Sequence, residues 1–181
     1  QDNGNRGDGR IVGTETLLRW KNDPKLFGWF AYTISRSERR DDPTETLRLS
    51  QYDQTHILTV LASKGWDPGL RFGARFRFVS GGLYTPNSYG GGVLDTDRGA
   101  YQPVTTLPPF NTRLPPFHQL DLRFEKSSYV NHLGKVTAYV DVQNVYYYSP
   151  VQGVVYNYNY TTSRPVRGLP TLSIIGARVD F

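Results

Sequence analysis

LRFGARFRF, residues 70–78, alternates without a break: Leu70, Phe72, Ala74, Phe76 and Phe78 fall on one side of an extended chain, and Arg71, Gly73, Arg75 and Arg77 on the other. Successive side chains of a strand point to opposite faces, so period two separates the apolar residues from the arginines, whereas a helix would mix them around its circumference. The stretch is read as a β-strand with one apolar and one charged face. Working outward, the same period returns in the segment ending the sequence, where Ser173, Ile175, Ala177, Val179 and Phe181 oppose Leu172, Ile174, Gly176, Arg178 and Asp180. Val136, Ala138, Val140 and Val142 oppose Lys135, Thr137, Tyr139, Asp141 and Gln143, and Leu120, Leu122 and Phe124 oppose Gln119, Asp121, Arg123 and Glu125. Weaker alternation runs through 56–63, 27–37 and 12–20. About seven strands result, and the fold class is all-β and antiparallel.

The connections sort by length. Residues 22–25, 65–69 and 127–134 make short turns, while 38–51, 83–116 and 149–170 are long. One end of the sheet therefore has tight turns and the other large loops, the asymmetry of outer-membrane β-barrels. Aromatics mark both ends: Trp20, Trp29 and Trp66 near the short turns, and Tyr52, Tyr84 and Tyr146–Tyr148 near the long loops. Rings with an apolar body and a polar tip collect at membrane–water interfaces. On this reading the apolar face meets lipid. Arg71, Arg75 and Arg77 then line an aqueous lumen beside Asp121, Arg123 and Glu125, where opposite charges on neighbouring strands pair across the ladder.

Composition agrees with this class. Of 181 residues 38% are hydrophobic and 14% aromatic, with 18 Gly, 12 Pro and 13 Tyr, which suits neither a helical bundle nor a disordered chain. No apolar run reaches the roughly 18 residues of a spanning helix, a limit that leaves β-barrels open. There is no Cys, hence no disulfide framework and no thiol nucleophile. The net charge of +5 is dispersed over alternating positions, so no basic patch for nucleic acid forms. There is no Met, and Gln1 opens a polar stretch, so a leader or a longer upstream piece is expected to precede it. Arg6-Gly7-Asp8 spells an adhesion tripeptide in a glycine-rich context and is read as chance.

Several stretches resemble a known family. LFGWFAYTISRSERRDD (26–42) resembles a barrel hairpin of TonB-dependent outer-membrane receptors, as do YDQTHILTVLAS (52–63) and LRFGARFRFVSGGLYTP (70–86). RLPPFHQLDLRFEK (113–126) resembles the family's third-from-last strand with its proline-rich approach, and TAYVDVQNVY (137–146) its penultimate strand. Gly176, Val179 and Phe181 resemble the carboxy-terminal assembly signal of outer-membrane barrels, with Val179 where an aromatic is common. The resemblance implies a transmembrane β-barrel, the chain supplying about seven carboxy-terminal strands of 22. A second chain would then supply the remaining strands and the plug. It further implies contact with outer-membrane lipid and lipopolysaccharide, and with a TonB-type energy-coupling protein through the missing part. The implied function is import of a scarce nutrient such as a siderophore, cofactor, glycan or peptide.

No catalytic set of residues stands out, so no enzyme, cofactor or metal site is expected. His56, His118 and His132 are far apart in sequence and read as interfacial or turn residues; Asp95-Thr96-Asp97 lacks the ligands of a calcium loop. Asp121 and Glu125 read as partners of the arginines. Gly81-Gly82 and Gly90–Gly92 lack the helix and Lys of a phosphate loop. The long loops carry Tyr84, Tyr89, Tyr101, Tyr156, Tyr158 and Tyr160, with Arg164 and Arg167 close by, as candidates for the ligand mouth. Tyr offers flat contact area at modest entropic cost, and such rings serve equally to brace loops against each other. Two other architectures fit the same residues: a small self-contained barrel using 154–160 as an eighth strand, acting as adhesin or anchor, and a soluble glycan-binding β-sandwich.

Overall fold

The computed structural model describes residues 6–23, 25–87, 91–105 and 108–181. Fourteen strands follow in order: β1 (Asp8–Asp23), β2 (Leu26–Arg40), β3 (Arg48–Leu49), β4 (His56–Trp66), β5 (Leu70–Val79), β6 (Leu83–Tyr84), β7 (Val93–Asp95), β8 (Ala100–Gln102), β9 (Thr112–Arg113), β10 (Phe117–Val130), β11 (Gly134–Gln143), β12 (Val151–Tyr156), β13 (Ser163–Arg167) and β14 (Leu172–Asp180). Seven of them form one antiparallel sheet in the order β1-β2-β4-β5-β10-β11-β14, with β3 added to the outer part of β2. All-β architecture is thus shown. The described strands form an open sheet and not a closed barrel, with β1 and β14 at its two edges.

The register explains why alternation is so clean. Directly paired residues point to the same face. Leu18, Phe30, Val60, Phe76 and Leu120 form one apolar row across five strands, and Phe72, Phe124, Val140 and Ile175 another. The Phe72 and Phe124 rings lie 4.8 Å apart. A one-residue slip anywhere would put charges into these rows, so pattern and register fix each other. The turn before β5 shows the backbone requirement: Gly69 has φ +67°, and any Cβ there would run into the Ser127 carbonyl. Ser127 N–H donates to Gly69 O at 2.8 Å, tying the turn to β10.

No described residue covers the apolar rows. Among the described residues no hydrophobic side chain is buried, and Leu18 (58% exposed), Phe124 (49%) and Ile175 (83%) stay open. Apart from Pro150 and three glycines, the buried residues among those described are polar: Glu38, Ser50, Asp53, Asp121, Thr137 and Asn144. This distribution is the reverse of a water-soluble core.

Several boundaries differ from the sequence reading. β10 reaches Val130, which leaves only Asn131, His132 and Leu133 as the turn, with His132 at φ +71°. β1 and β2 extend six pairs beyond the Ile34–His56 pair where β4 begins, because Ser35 to Arg40 continue extended against β1. The long loops also hold small hairpins, β7-β8 and β12-β13, and the pair β6-β9. Trp29 lies at the expected end but on the charged face, opposite Arg19 and Leu61, so it does not belong with Trp20 on the apolar face. Trp20 covers Gly28 across the strand pair, where a Cβ would strike its indole.

Candidate functional site

The charged face gathers the predicted wall residues on β5 and β10. Asp121 is the best held. Its Oδ2 accepts from Arg75 Nη2 at 2.7 Å and Nε at 3.0 Å, and its Oδ1 from Gln119 Nε2 at 2.6 Å and the Asn144 N–H at 2.9 Å. Only 6% of Asp121 is exposed, and four donors compensate the lost water. Arg75–Asp121 is a directly opposed pair, as expected. Arg123 corrects the expectation for its own strand: it bonds Glu125 beside it at 2.7 Å and Asp141 of β11 at 3.2 Å, and its guanidinium lies 4.0 Å above the Tyr139 ring. Arg71 and Arg77 depart from the expected cross-strand ion pairs. Arg71 donates to Ser63 Oγ at 3.3 Å, and Arg77 sits 5.5 Å over the Phe117 ring.

Between these groups Gly73 provides a floor. It stands in the row between Ser63 and Arg123, and a Cβ there would meet nothing closer than 3.9 Å. A notch of about 340 Å³ lies here, edged by Arg71, Arg75, Asp121, Arg123, Glu125 and Asp141, with Gly73 in its lining. Its three arginines and three carboxylates balance, and most are engaged with each other. Such a surface can hydrogen-bond polar solutes, and it places no nucleophile next to a general base.

Asn144, which sequence reasoning did not single out, fastens the end of β11. With φ +54° it turns its amide back on the chain: Oδ1 accepts from Tyr148 N–H at 3.1 Å, and Nδ2 donates to the carbonyls of Tyr148 (2.6 Å) and Pro170. Thr171 Oγ1 bonds the Asn144 carbonyl at 2.7 Å. Asp121 therefore joins the wall to the loop leading into β14.

A second polar centre was also missed. Asp53, between β3 and β4, is fully covered. It accepts from the Ser37 N–H (2.8 Å), Thr55 Oγ1 (2.8 Å) and Arg113 Nη2 (2.6 Å). Arg113 also donates to the carbonyls of Gly81 at 2.8 Å and Asp53 at 3.2 Å. One guanidinium thereby ties together the β2, β4, β5 and β9 ends. Burial alone would raise the Asp53 pKa, but the bonds from Ser37, Arg113 and Thr55 outweigh it and hold the carboxyl below the ordinary aspartate value. A depressed folded pKa stabilises the fold above the unfolded value, near 3.9, and that stability is lost as pH falls through the folded one. Protease cleavage within 81–116 is accordingly expected to be pH-independent from about 7 down to about 5 and to rise only below about 4.

The tyrosine candidates divide. Tyr101, Tyr156, Tyr158 and Tyr160 come together: Tyr101 and Tyr158 meet edge to face at 5.4 Å, and Tyr156 and Tyr160 lie 5.7 Å apart. Tyr158 OH donates to Gly99 O at 2.9 Å, and the Tyr156 hydroxyl accepts the Asn87 N–H at 3.0 Å. The two longest loops are thus braced against one another. Tyr158 still stands 68% exposed beside an uncharged groove of about 480 Å³. Arg164 edges an adjoining groove with Tyr156. Tyr84 lies apart in the β6-β9 pair, and Arg167 bonds the Ser149 carbonyl at 3.1 Å. Tyr89 lies outside the described residues.

Two of the three histidines, His56 and His118, pair with tyrosines on the apolar face at the long-loop end, while His132 lies in the β10–β11 turn at the other end. Tyr32 OH and His56 Nδ1 are 2.8 Å apart, as are Tyr146 OH and His118 Nδ1, and the His118 ring stacks on Tyr148 at 3.8 Å. Asp95 accepts the N–H groups of Asp97 and Arg98 within the β7-β8 turn. No cluster of three or more His, Cys, Asp or Glu suited to a metal occurs among the described residues. At the carboxy-terminal end, Val179 pairs with Val136, and Gly176 faces Tyr139, whose ring occupies the space a Cβ would take. Phe181 is fully exposed.

Comparison with known proteins finds no matching family model, no matching curated protein and no matching solved structure.

Proposed function

We propose that this chain is the carboxy-terminal strand set of a transmembrane β-barrel that imports a nutrient across an outer membrane, of the TonB-dependent kind its segments resemble. The observation that carries the reading is the uncovered apolar face: rows of Phe, Val, Leu and Ile run across the seven-stranded sheet, and no described residue forms a layer over them. In water about 25 cal/mol per Å² of such surface is forfeited, while hydrocarbon satisfies it. Buried, hydrogen-bonded charges on the opposite face suit a hydrated lumen. The open edges of β1 and β14 must be closed by further strands, since unpaired N–H and C=O groups are not tolerated in lipid. The remaining strands and the plug come from outside this sequence, from an upstream part of the same protein or from a second chain.

The wall residues then line the passage without acting as acid, base or nucleophile, and the braced tyrosines stand at its mouth. A small barrel is disfavoured because β12 pairs with β13 in its own hairpin and does not join the sheet. A sandwich needs a second sheet on the apolar face, and the described residues contain none.

Detergent extraction followed by identification of everything that stays bound tests this. The expected result is a particle in which this sequence is joined by strands and a plug domain of roughly threefold greater length, consistent with a 22-stranded barrel. Recovery of the chain as a monodisperse monomer from a detergent-free soluble fraction would contradict it.

A further inference from the structure

The β10–β11 hairpin reaches past its neighbour at the short-turn end. β5 pairs with β10 only as far as Leu70 opposite Lys126, whereas β10 continues to Val130 before the chain turns into β11. On the far side the projection is supported, since β14 runs out to Asp180 opposite Lys135. On the β5 side it leaves a step about 14 Å long at ~3.4 Å per residue. Residues along an antiparallel strand bond alternately to the neighbours on its two sides. Ser127 N–H donates to Gly69 O at 2.8 Å, so Ser127 bonds toward the β5 side. Tyr129, two residues on, aims its N–H and C=O the same way, past the end of β5, where no described residue pairs with it. Tyr129 is also 85% exposed.

The step opens on a groove of about 750 Å³ where five cations, Lys25, Arg71, Lys126, Lys135 and Arg178, meet two carboxylates, Asp67 and Glu125. Both carboxylates are engaged, Asp67 by Lys25 and Glu125 by Arg123, and Arg178 bonds Asp180 at 3.2 Å. Three cations are left without a carboxylate. Lys126 reaches the Pro68 carbonyl, Arg71 reaches Ser63 Oγ, and Lys135 makes no ion pair among the described residues. We propose that this edge takes up an acidic, extended segment of a partner polypeptide, added as a strand beside residues 127–130. Strand addition draws its affinity from main-chain hydrogen bonds and its selectivity from the side chains around the edge. Lysines beside an open edge repel basic strands and discourage unselected pairing, and the same charges attract an acidic strand. A small anion or a lipid headgroup would leave the Tyr129 N–H and C=O unused. The site belongs to the sheet itself, and the barrel reading adds only that it opens on the short-turn side, away from the tyrosine-bearing loops.

Fluorescence anisotropy of a labelled peptide of alternating Glu and Val, added to the intact assembled protein, tests this. The wild type should bind it, and should bind a Lys–Val peptide, or the Glu–Val peptide N-methylated at every amide, at least about fivefold more weakly. Tyr129→Pro removes the open N–H and should weaken the Glu–Val peptide by a similar factor, whereas Tyr129→Thr keeps the donor and should stay within about threefold of the wild type. Lys126→Gln/Lys135→Gln should also weaken it at least about fivefold. An unchanged urea midpoint confirms that each variant is folded, and the peptide comparisons on the wild type decide the matter if a variant is not. Equal binding of the plain and N-methylated peptides means that charge alone holds them and overturns strand addition. Equal binding of Glu–Val and Lys–Val peptides, or of neither, leaves the lysines as guards of an open edge and overturns the site. Displacement by inorganic phosphate at constant ionic strength, or by anionic phospholipid vesicles, overturns the polypeptide assignment. A protein recovered from the aqueous fraction that still binds the Glu–Val peptide loses the barrel and keeps the site, whereas an inserted barrel that does not bind it loses the site alone.

Discussion

Replacing Arg113 by alanine is expected to cost about 3 kcal/mol and to loosen the whole long-loop end of the sheet. The change leaves the fully covered Asp53 carboxylate without its cation and frees the Gly81 and Asp53 carbonyls from their shared donor. Breaking a deeply buried ion pair costs about 3–5 kcal/mol, and the low end applies because Asp53 sits in a thin layer of loops with solvent close by. Asp53→Asn should cost less, since the amide keeps the shape and can still accept from Ser37 or Thr55. The double variant Asp53→Ala/Arg113→Ala should be less damaging than the sum of its singles, which is the mark of a coupled pair. Urea unfolding of the assembled protein measures the loss. An Arg113→Ala midpoint equal to that of the wild type would remove the clamp from the account.

Val140→Arg is expected to destabilise the assembled barrel by about 2–4 kcal/mol, enough to abolish insertion in a marginal case. Val140 is in the apolar row between Phe124 and Ile175, so on the proposed barrel reading an arginine there would meet hydrocarbon near mid-strand. Gln143→Arg is the matched control. It lies on the opposite face at the edge of the Gly73 notch, near Asp121 and Asp141, and should change stability by less than about 1 kcal/mol. The ratio of folded to unfolded protein after refolding into lipid vesicles reads both variants. Equal tolerance of the two arginines would mean the faces are not distinguished by solvent.

The sheet was legible because its two faces differ so much in chemistry. Arg71, Arg75 and Arg77 cannot share a side with Phe72, Phe76 and Phe78 under period two, and the neighbouring strands repeat the separation. Asp121 was found the same way, and its partner Arg75 follows from register. Arg123 shows the limit: its partner Asp141 lies on the other neighbouring strand, and alternation gives the face of each residue without saying which side a long side chain leans toward. Asp53 and Arg113 are 60 residues apart in aperiodic loops, so no local signal joined them. The proline-rich approach to β10 brings Arg113 back beside the β4 end, a long-range contact that only the fold provides. Asn144 was hidden for a different reason. Its role comes from a positive φ, which the run Gln-Asn-Val hints at weakly, Asn being among the few residues that tolerate that conformation. The tyrosines were seen, with recognition and bracing as equal readings, but which of them meet was not legible: Tyr101, Tyr156, Tyr158 and Tyr160 converge and brace the loops, Tyr158 staying open as well, and Tyr84 stands apart.

The most direct measurement of which solvent each face meets is the accessibility of single spin labels along β5 and β11. The sequence contains no cysteine, so each label site can be introduced alone. In vesicles, labels at Phe76, Val140 and Ala74 should relax fast with oxygen and slowly with a water-soluble nickel complex, while labels at Gly73, Arg77 and Asp141 should do the opposite, in a period of two. Labels that report water at Phe76 and Val140, or the same environment at neighbouring positions, would contradict a sheet whose apolar face lies in lipid.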